Sequence, residues 1–148
     1  DDMPIVVYTA SAGDKVVGYA VESMTKNGFG GAIRMMVGFA PDGQILNVNV
    51  LQQAETPGLG TKMADEDNAL LRSIKDKKAW EIEFKVKKDG GELDALTAAT
   101  SSSRAYYDAV ERAYQAYRVA CGYDENADGV SGATATEGQK TQEGGQNE

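Results

Sequence analysis

The stretch "AIRMMVGFAPDGQILNVNVLQQA", residues 32–54, carries the clearest structural signal in the chain. Two runs rich in apolar residues, at 32–40 and 45–54, flank Pro41, Asp42 and Gly43. Proline fixes φ at a value that suits the start of a tight turn, and glycine accepts a positive φ. The stretch therefore predicts a β-hairpin, two antiparallel strands joined by a short turn.

The sequence on either side of this hairpin predicts further strands. Upstream, "IVVYT" (5–9) is a short apolar run and "KVVGYAVES" (15–23) alternates apolar with polar residues. Downstream, "WEIEFKVK" (80–87) alternates large apolar side chains with charges, which predicts a strand with one buried face. The residues of that face would be Trp80, Ile82, Phe84 and Val86.

Two segments have the periodicity of helices. "MADEDNALLRSIKDK" (63–77) predicts a helix, and a longer one should follow Ser101, with the serines there as N-caps. The inner side of the first helix would carry Ala64, Leu70, Leu71 and Ile74. Strands followed by two principal helices predict an α+β fold with a mainly antiparallel sheet.

Composition limits the organisation and the chemistry. The 148 residues are 41% hydrophobic, which suits one domain, predicted at 1–123 and followed by a polar tail at 124–148. The net charge of −8 argues against a nucleic-acid partner, because phosphate backbones require a basic surface. With no histidine and one cysteine, the chain can form no Ser-His-Asp triad, histidine zinc site or internal disulfide.

Two seven-residue segments share one pattern. "DALTAAT" (94–100) and "DGVSGAT" (128–134) both read Asp, two residues, Ser or Thr, a small residue, Ala, Thr. Thr100 lies where a loop of small residues becomes a helix, and the N–H groups at a helix N-terminus favour an anion such as phosphate. The alternative is that "TAATSSS" is only a serine-rich cap.

"ETPGLG" (55–60) is a further candidate site. It can be read as a simple proline-glycine turn. Alternatively, Gly58 and Gly60 on either side of Leu59 would expose backbone groups on an apolar ledge, which suits a planar ring system.

Taken together, these motifs resemble a known family. "ETPGLG", "DALTAATSSSRA" and "GFGGAIRMMVGFAPDGQILNVNVL" are similar to the FMN-binding domain of the G subunit of the Rnf electron-transport complex. The C subunit of the sodium-pumping NADH:quinone reductase is a relative. The resemblance covers about Gly18 to Tyr117. In this family a flavin transferase joins FMN through its phosphate to the last threonine of an Asp-x-x-(Ser/Thr)-Gly-Ala-Thr signal.

The resemblance implies a set of cofactor-binding residues and no catalytic residue or metal ligand. The covalent FMN would be on Thr100, and the remaining implied residues are Asp94, Thr97, Ala98, Ala99, Ser101, Glu55, Thr56, Gly58, Leu59 and Gly60. Ala98 stands where the signal usually has glycine. The tail copy matches the signal fully, at Asp128, Ser131, Gly132, Ala133 and Thr134, but no amphipathic helix follows it. We therefore expect Thr100 as the principal site and Thr134 as a possible second site.

The resemblance also implies a function and a location. The chain would relay electrons in a membrane-bound, ion-translocating ferredoxin:NAD⁺ oxidoreductase, with other membrane subunits as partners. It would lie on the extracytoplasmic face of the bacterial cytoplasmic membrane. Because the sequence opens "DDMPIVVY" without an initiator methionine, we expect a fragment whose anchor lies upstream. The alternatives are the C subunit of the quinone reductase and a non-redox extracytoplasmic module that binds an anion.

Overall fold

A computed structural model describes residues 5–121 of the chain. Residues 1–4 and 122–148 lie outside the described residues, as do the predicted tail and Thr134. The strands are β1 (Val6–Ala12), β2 (Lys15–Thr25), β3 (Ile33–Phe39) and β4 (Ile45–Gln52), and the α-helices are α1 (Ala69–Ile74) and α2 (Thr100–Ala120). Short 3₁₀ helices span Gly60–Ala64, Ala79–Glu81 and Lys87–Asp89.

The four strands form one antiparallel sheet in the order β1-β2-β3-β4. The predicted hairpin is confirmed as β3 and β4, with Phe39 opposite Ile45. Gly43 has φ +100 in the turn, and its N–H donates to the carbonyl of Ala40 at 2.9 Å. Gly43 therefore has the positive φ that the sequence predicts.

Helix α2 crosses one face of the sheet and encloses the core against it. The inward side chains of β3 alternate strictly, with Ile33, Met35, Val37 and Phe39 all buried. Aromatic rings from α2 complete this core, and the ring of Tyr117 stacks on that of Phe39 with centroids 5.1 Å apart. An antiparallel sheet with two α-helices confirms the predicted α+β fold.

The predicted helix over 63–77 is shorter than expected. Asn68 caps α1, because its side-chain oxygen accepts the N–H groups of Leu70 and Leu71 at 3.0 Å. The Asn68 amide also donates to the carbonyl of Asp65, which bends the chain before the helix. Ala64 is therefore exposed in a 3₁₀ turn and not on an inner helix face, whereas Leu70, Leu71 and Ile74 are buried as predicted.

The predicted strand over 80–87 is wrong. Ile45 of β4 donates its N–H to Lys77 at 2.9 Å, and pairing along this edge ends at the bridge between Gln44 and Lys78. The chain then curls into a 3₁₀ turn, and 82–85 form no strand. Pairing nearby is limited to an isolated bridge between Val86 and Leu93, beside which the Lys85 carbonyl accepts the N–H of Leu93 at 3.2 Å. Trp80 is 48% exposed; of the predicted buried face, only Val86 is fully buried, while Ile82 and Phe84 are partly buried.

A pair of neighbouring tyrosines in α2 provides a test of the core. Tyr106 is completely buried, and among residues 5–121 its hydroxyl is the one buried side-chain oxygen or nitrogen without a hydrogen bond. Burial raises the pKa of Tyr106 well above the usual range. Because an unsatisfied buried hydroxyl costs about 1–3 kcal/mol, we expect Tyr106→Phe to stabilise the chain by about 1 kcal/mol in urea unfolding.

Tyr107→Phe is the matched control. The Tyr107 hydroxyl donates to the carbonyl of Asp94 at 2.7 Å, so its removal should destabilise by about 1 kcal/mol. Equal effects from the two substitutions would contradict this assignment of the hydroxyl environments.

Candidate functional site

The N-terminus of α2 lies at the end of the 94–100 motif. Thr100 is the first residue of the helix and is partly buried. The N-cap residue is Ala99, whose methyl group cannot cap, and the first turn contains no acidic side chain. The serines predicted as caps lie within the helix instead. No side chain of the N-cap or of the first turn therefore compensates the positive end of this helix, although the Glu55 carboxylate contacts Ser102 in that turn. Free N–H groups at a helix N-terminus suit an anionic ligand.

A tight turn precedes the helix. The N–H of Ala99 donates to the carbonyl of Leu96 at 3.1 Å, and the two exposed residues between them are Thr97 and Ala98. Ala98 has φ +58, in the left-handed region that glycine adopts without strain. The turn thus requires a positive φ at the position where the family's signal has glycine.

This conformation makes Ala98→Gly a stabilising substitution. A left-handed alanine costs about 1–2 kcal/mol, and glycine's extra freedom in the unfolded chain offsets part of the gain. We expect Ala98→Gly to raise the free energy of unfolding by about 0.5–1 kcal/mol in urea titrations. Ala95→Gly, where φ is not positive, should lower it. The reverse order would contradict a strained turn.

The start of the motif is held by side chains from other segments. The backbone N–H of Asp94 donates to the Ser73 hydroxyl at 3.1 Å, and its carbonyl accepts the Tyr107 hydroxyl at 2.7 Å. Burial raises the pKa of Tyr107 to about 12, so this hydroxyl is protonated and donates at neutral pH. The exposed Asp94 carboxylate pairs with Lys87 at 2.7 Å, and the hydrogen bond from Lys87 holds the pKa of Asp94 below its usual range.

The end of the motif is held by α2 itself. Ser103 lies in the first turn and is fully buried. Its hydroxyl accepts the N–H of Leu96 at 2.9 Å and donates to the carbonyl of Ala99 at 2.8 Å. Both ends of the 94–99 loop are therefore held by hydrogen bonds, which fix the path of the chain into the helix at Thr100.

Glu55 joins three segments that are distant in sequence. It is only 4% exposed, and its Oε1 accepts the N–H of Phe29 at 2.8 Å and the Ser102 hydroxyl at 2.5 Å. Its Oε2 accepts the N–H of Gly30 at 2.9 Å. The first residue of "ETPGLG" therefore positions the loops around α2. Both of its carboxylate oxygens accept hydrogen bonds from these protein donors.

Glycines allow this close approach. A Cβ on Gly60 would lie 2.6 Å from both Cβ of Glu55 and the hydroxyl of Ser102, and one on Gly30 would lie 1.8 Å from the carbonyl of Ala54. Gly58 differs, because nothing lies within 4 Å of a Cβ there and its φ is +78. Gly58 is therefore required by the turn and not by crowding.

The structure brings some of the predicted site residues together and leaves others apart. Glu55 and Gly60 contact the first turn of α2 through Ser102. The other predicted residues with exposed side chains are Thr56, Leu59, Asp94, Thr97 and Ala98 in the loops and Ser101 in the first turn of α2. Ala99 is buried beneath them, and Thr134 lies outside the described residues.

Several residues of the site were not predicted from the sequence. Ser102, Ser103, Tyr107 and Ser73 hold the loops, and each looks like an ordinary helix residue when read locally. Phe29 is 71% exposed although Glu55 holds its backbone. In the sequence, the one indication of a role for Phe29 is its position among the glycines of "GFGG" (28–31).

A concave surface lies near the other end of α2. This groove of about 640 Å³ is lined by Trp80, Ile82, Phe84, Tyr114 and Arg118, among others. Its helix residues begin 11 positions after Thr100, or about 16 Å along the axis at 1.5 Å per residue. None of the predicted cofactor-binding residues lines the groove. Separately, neither α-helix within 5–121 is long and apolar enough to span a membrane.

Comparison with known proteins identifies the family. The family described as "FMN-binding domain" matches residues 28–115, more than half of the chain. Proteins named as the G subunit of an ion-translocating oxidoreductase complex are similar, with 41% identity over 115 residues in Shewanella amazonensis and 38% over 110 residues in Escherichia coli K12. These alignments cover 75% and 72% of this chain and 53% of each relative, so the chain spans about half the length of the curated relatives it matches. The chain belongs to the FMN-binding domain family.

Proposed function

We propose that this chain is the FMN-carrying part of a G-type subunit that relays electrons in an ion-translocating oxidoreductase complex at a bacterial membrane. The observation that carries the proposal is the N-terminus of α2, where Thr100 opens a helix without a side-chain cap. The similar proteins from Shewanella and Escherichia are named as G subunits, which favours this assignment over the C subunit of the quinone reductase.

The residues of the site would hold FMN in distinct ways. The Thr100 hydroxyl would carry FMN as a phosphoester, formally with loss of one water, and the first N–H groups of α2 would stabilise the remaining negative charge of the phosphate. The Ala98 turn presents this hydroxyl to the flavin transferase. Bound FMN supplies one- and two-electron redox chemistry, whose potential depends on nearby charge and hydrogen bonds.

Two exposed apolar side chains would flank the flavin ring. The backbone N–H of Phe29 donates to Oε1 of Glu55, and the same oxygen accepts the hydroxyl of Ser102 in α2. Leu59 lies in the adjoining "ETPGLG" segment and is also exposed. Ligand sites are lined mainly by apolar and aromatic side chains together with a few polar groups, which these two side chains and the helix end would supply. In this proposal Glu55 is a positioning residue and does not contact FMN.

Optical spectroscopy of the matured protein tests the proposal. We expect coexpression with a flavin transferase to give a denaturation-resistant visible flavin band that bleaches on chemical reduction and returns in air. A colourless protein that binds only inorganic phosphate would favour the non-redox anion-binding alternative. A protein that carries the flavin band but purifies from its native membrane without other subunits would retain FMN binding and refute the place in a complex.

A further inference from the structure

Strand β1 is an open edge of the sheet. Within residues 5–121 it pairs with β2 alone, and all seven of its residues are exposed or partly exposed. One side of its backbone therefore presents N–H and C=O groups that no described strand satisfies. Such a row of donors and acceptors is a template for one more strand.

This edge has few of the features that prevent pairing with another chain. Residues 5–13, "IVVYTASAG", contain no charged residue and no proline, which are the usual protections of an edge strand. Two large apolar side chains, Val6 and Tyr8, are 38% and 49% exposed. A β-bulge at Ala10 and Ser11 interrupts the strand, so the regular edge is Val6–Ala10.

The opposite edge of the sheet is different. At the start of β4, Ile45 exchanges backbone hydrogen bonds with the segment that follows α1. Its N–H donates to Lys77 at 2.9 Å, and its carbonyl accepts the N–H of Asp76 at 2.6 Å. This edge is partly covered by the chain itself, which leaves β1 as the more accessible edge.

The sheet face beside β1 is also accessible. Tyr8 pairs with Ala20, and Ala20 pairs with Gly38, so these three residues form a row across the sheet. Val21 and Val37 are fully buried on the face that α2 covers, which puts the row on the opposite face. Because Ala20 and Gly38 are small, Tyr8 stands above its neighbours, and an added strand would pack against its ring.

We propose that β1 docks an extended strand from another subunit of the oxidoreductase complex, which would become the fifth strand of this sheet. The proposal rests on the proposed place in that complex. An extended segment is the occupant because only a strand satisfies a row of backbone groups, and it should carry small or apolar side chains opposite Val6 and Tyr8. A second copy is disfavoured, because each chain has a net charge of −8.

Hydrogen exchange in the complex purified from its native membrane tests this docking. We expect amides in 6–10 to exchange at least tenfold more slowly in the complex than in the same full-length polypeptide separated from the other subunits. Equal exchange within a chain that still copurifies would overturn the docking and leave the proposed function intact. A wild-type chain that purifies with no other polypeptide would overturn both.

A charge substitution supplies the second measurement. Tyr8→Lys adds a charge to the edge while its backbone pairing with β2 remains, and we expect recovery of the complex to fall at least tenfold at unchanged FMN content. Leu46→Lys is the control, because Leu46 is an exposed apolar residue of β4. Equal recovery of the two variants would overturn the proposal. So would an isolated chain that dimerises with residues 6–10 protected, since the occupant would then be a second copy.

Discussion

Thr100→Ala is expected to abolish covalent FMN. After coexpression with a flavin transferase, the intact mass of the wild-type chain should exceed the sequence mass by one FMN less one water, whereas the variant should show the sequence mass. The reason is that the phosphoester requires a hydroxyl at the first residue of α2, the position that the loop and the helix together fix. Circular dichroism should remain native, because the side chain of Thr100 makes none of the hydrogen bonds that hold the loop.

Two further substitutions make this result specific. Ser101→Ala removes the exposed hydroxyl of the next residue and should leave one FMN in place. Thr134→Ala tests the second copy of the signal and should also leave one FMN. Two stoichiometric FMN groups in the wild-type mass, or a single one that disappears only with Thr134→Ala, would contradict the choice of Thr100.

Glu55→Ala should cause the largest loss of stability among substitutions at the site. It leaves two backbone N–H groups and the buried Ser102 hydroxyl without their acceptor. With about 1–3 kcal/mol for each unsatisfied buried group, reduced for the donors that reach water, we expect about 3 kcal/mol in urea unfolding. Glu92→Ala, at an exposed glutamate, should change stability by less than about 0.5 kcal/mol.

Glu55→Gln keeps the shape of the side chain but removes its negative charge and one of its two acceptor oxygens. The amide retains one acceptor oxygen, but its NH₂ group would face at least one of the donors that the second oxygen now accepts. We therefore expect a loss between those of the alanine variant and the wild type. A glutamine variant as stable as the wild type would show that the negative charge and the second acceptor contribute nothing.

Local chemistry explains which elements the sequence predicts. The β3–β4 hairpin follows from turn residues that determine their own backbone angles, and α2 follows from four-residue spacing over more than five turns. The alternation in 80–87 is accompanied by neither of these local signals. Whether an alternating segment becomes a strand depends on a free neighbouring edge, and here the pairing along β4 ends at Lys78.

The candidate site also contains one residue whose position the local sequence predicts and one whose role it does not. The position of Thr100 at a helix N-terminus is readable from the order of small residues and helix formers around it. The role of Glu55 is not readable, because its partners are 25, 26 and 47 residues away in the sequence. A glutamate next to a proline-glycine turn has no local property that distinguishes an internal acceptor from a ligand contact.

The long-range contacts of Glu55 also have a kinetic consequence. Hydrogen bonds that close loops of 25 to 47 residues become favourable only after the sheet and α2 have come together. The contacts of Glu55 should therefore form after the main folding barrier, so their free energy acts mainly on the rate of unfolding. The acceptor that organises the surroundings of Thr100 would then set how long a matured domain keeps its structure, and have little influence on how fast the new chain acquires it.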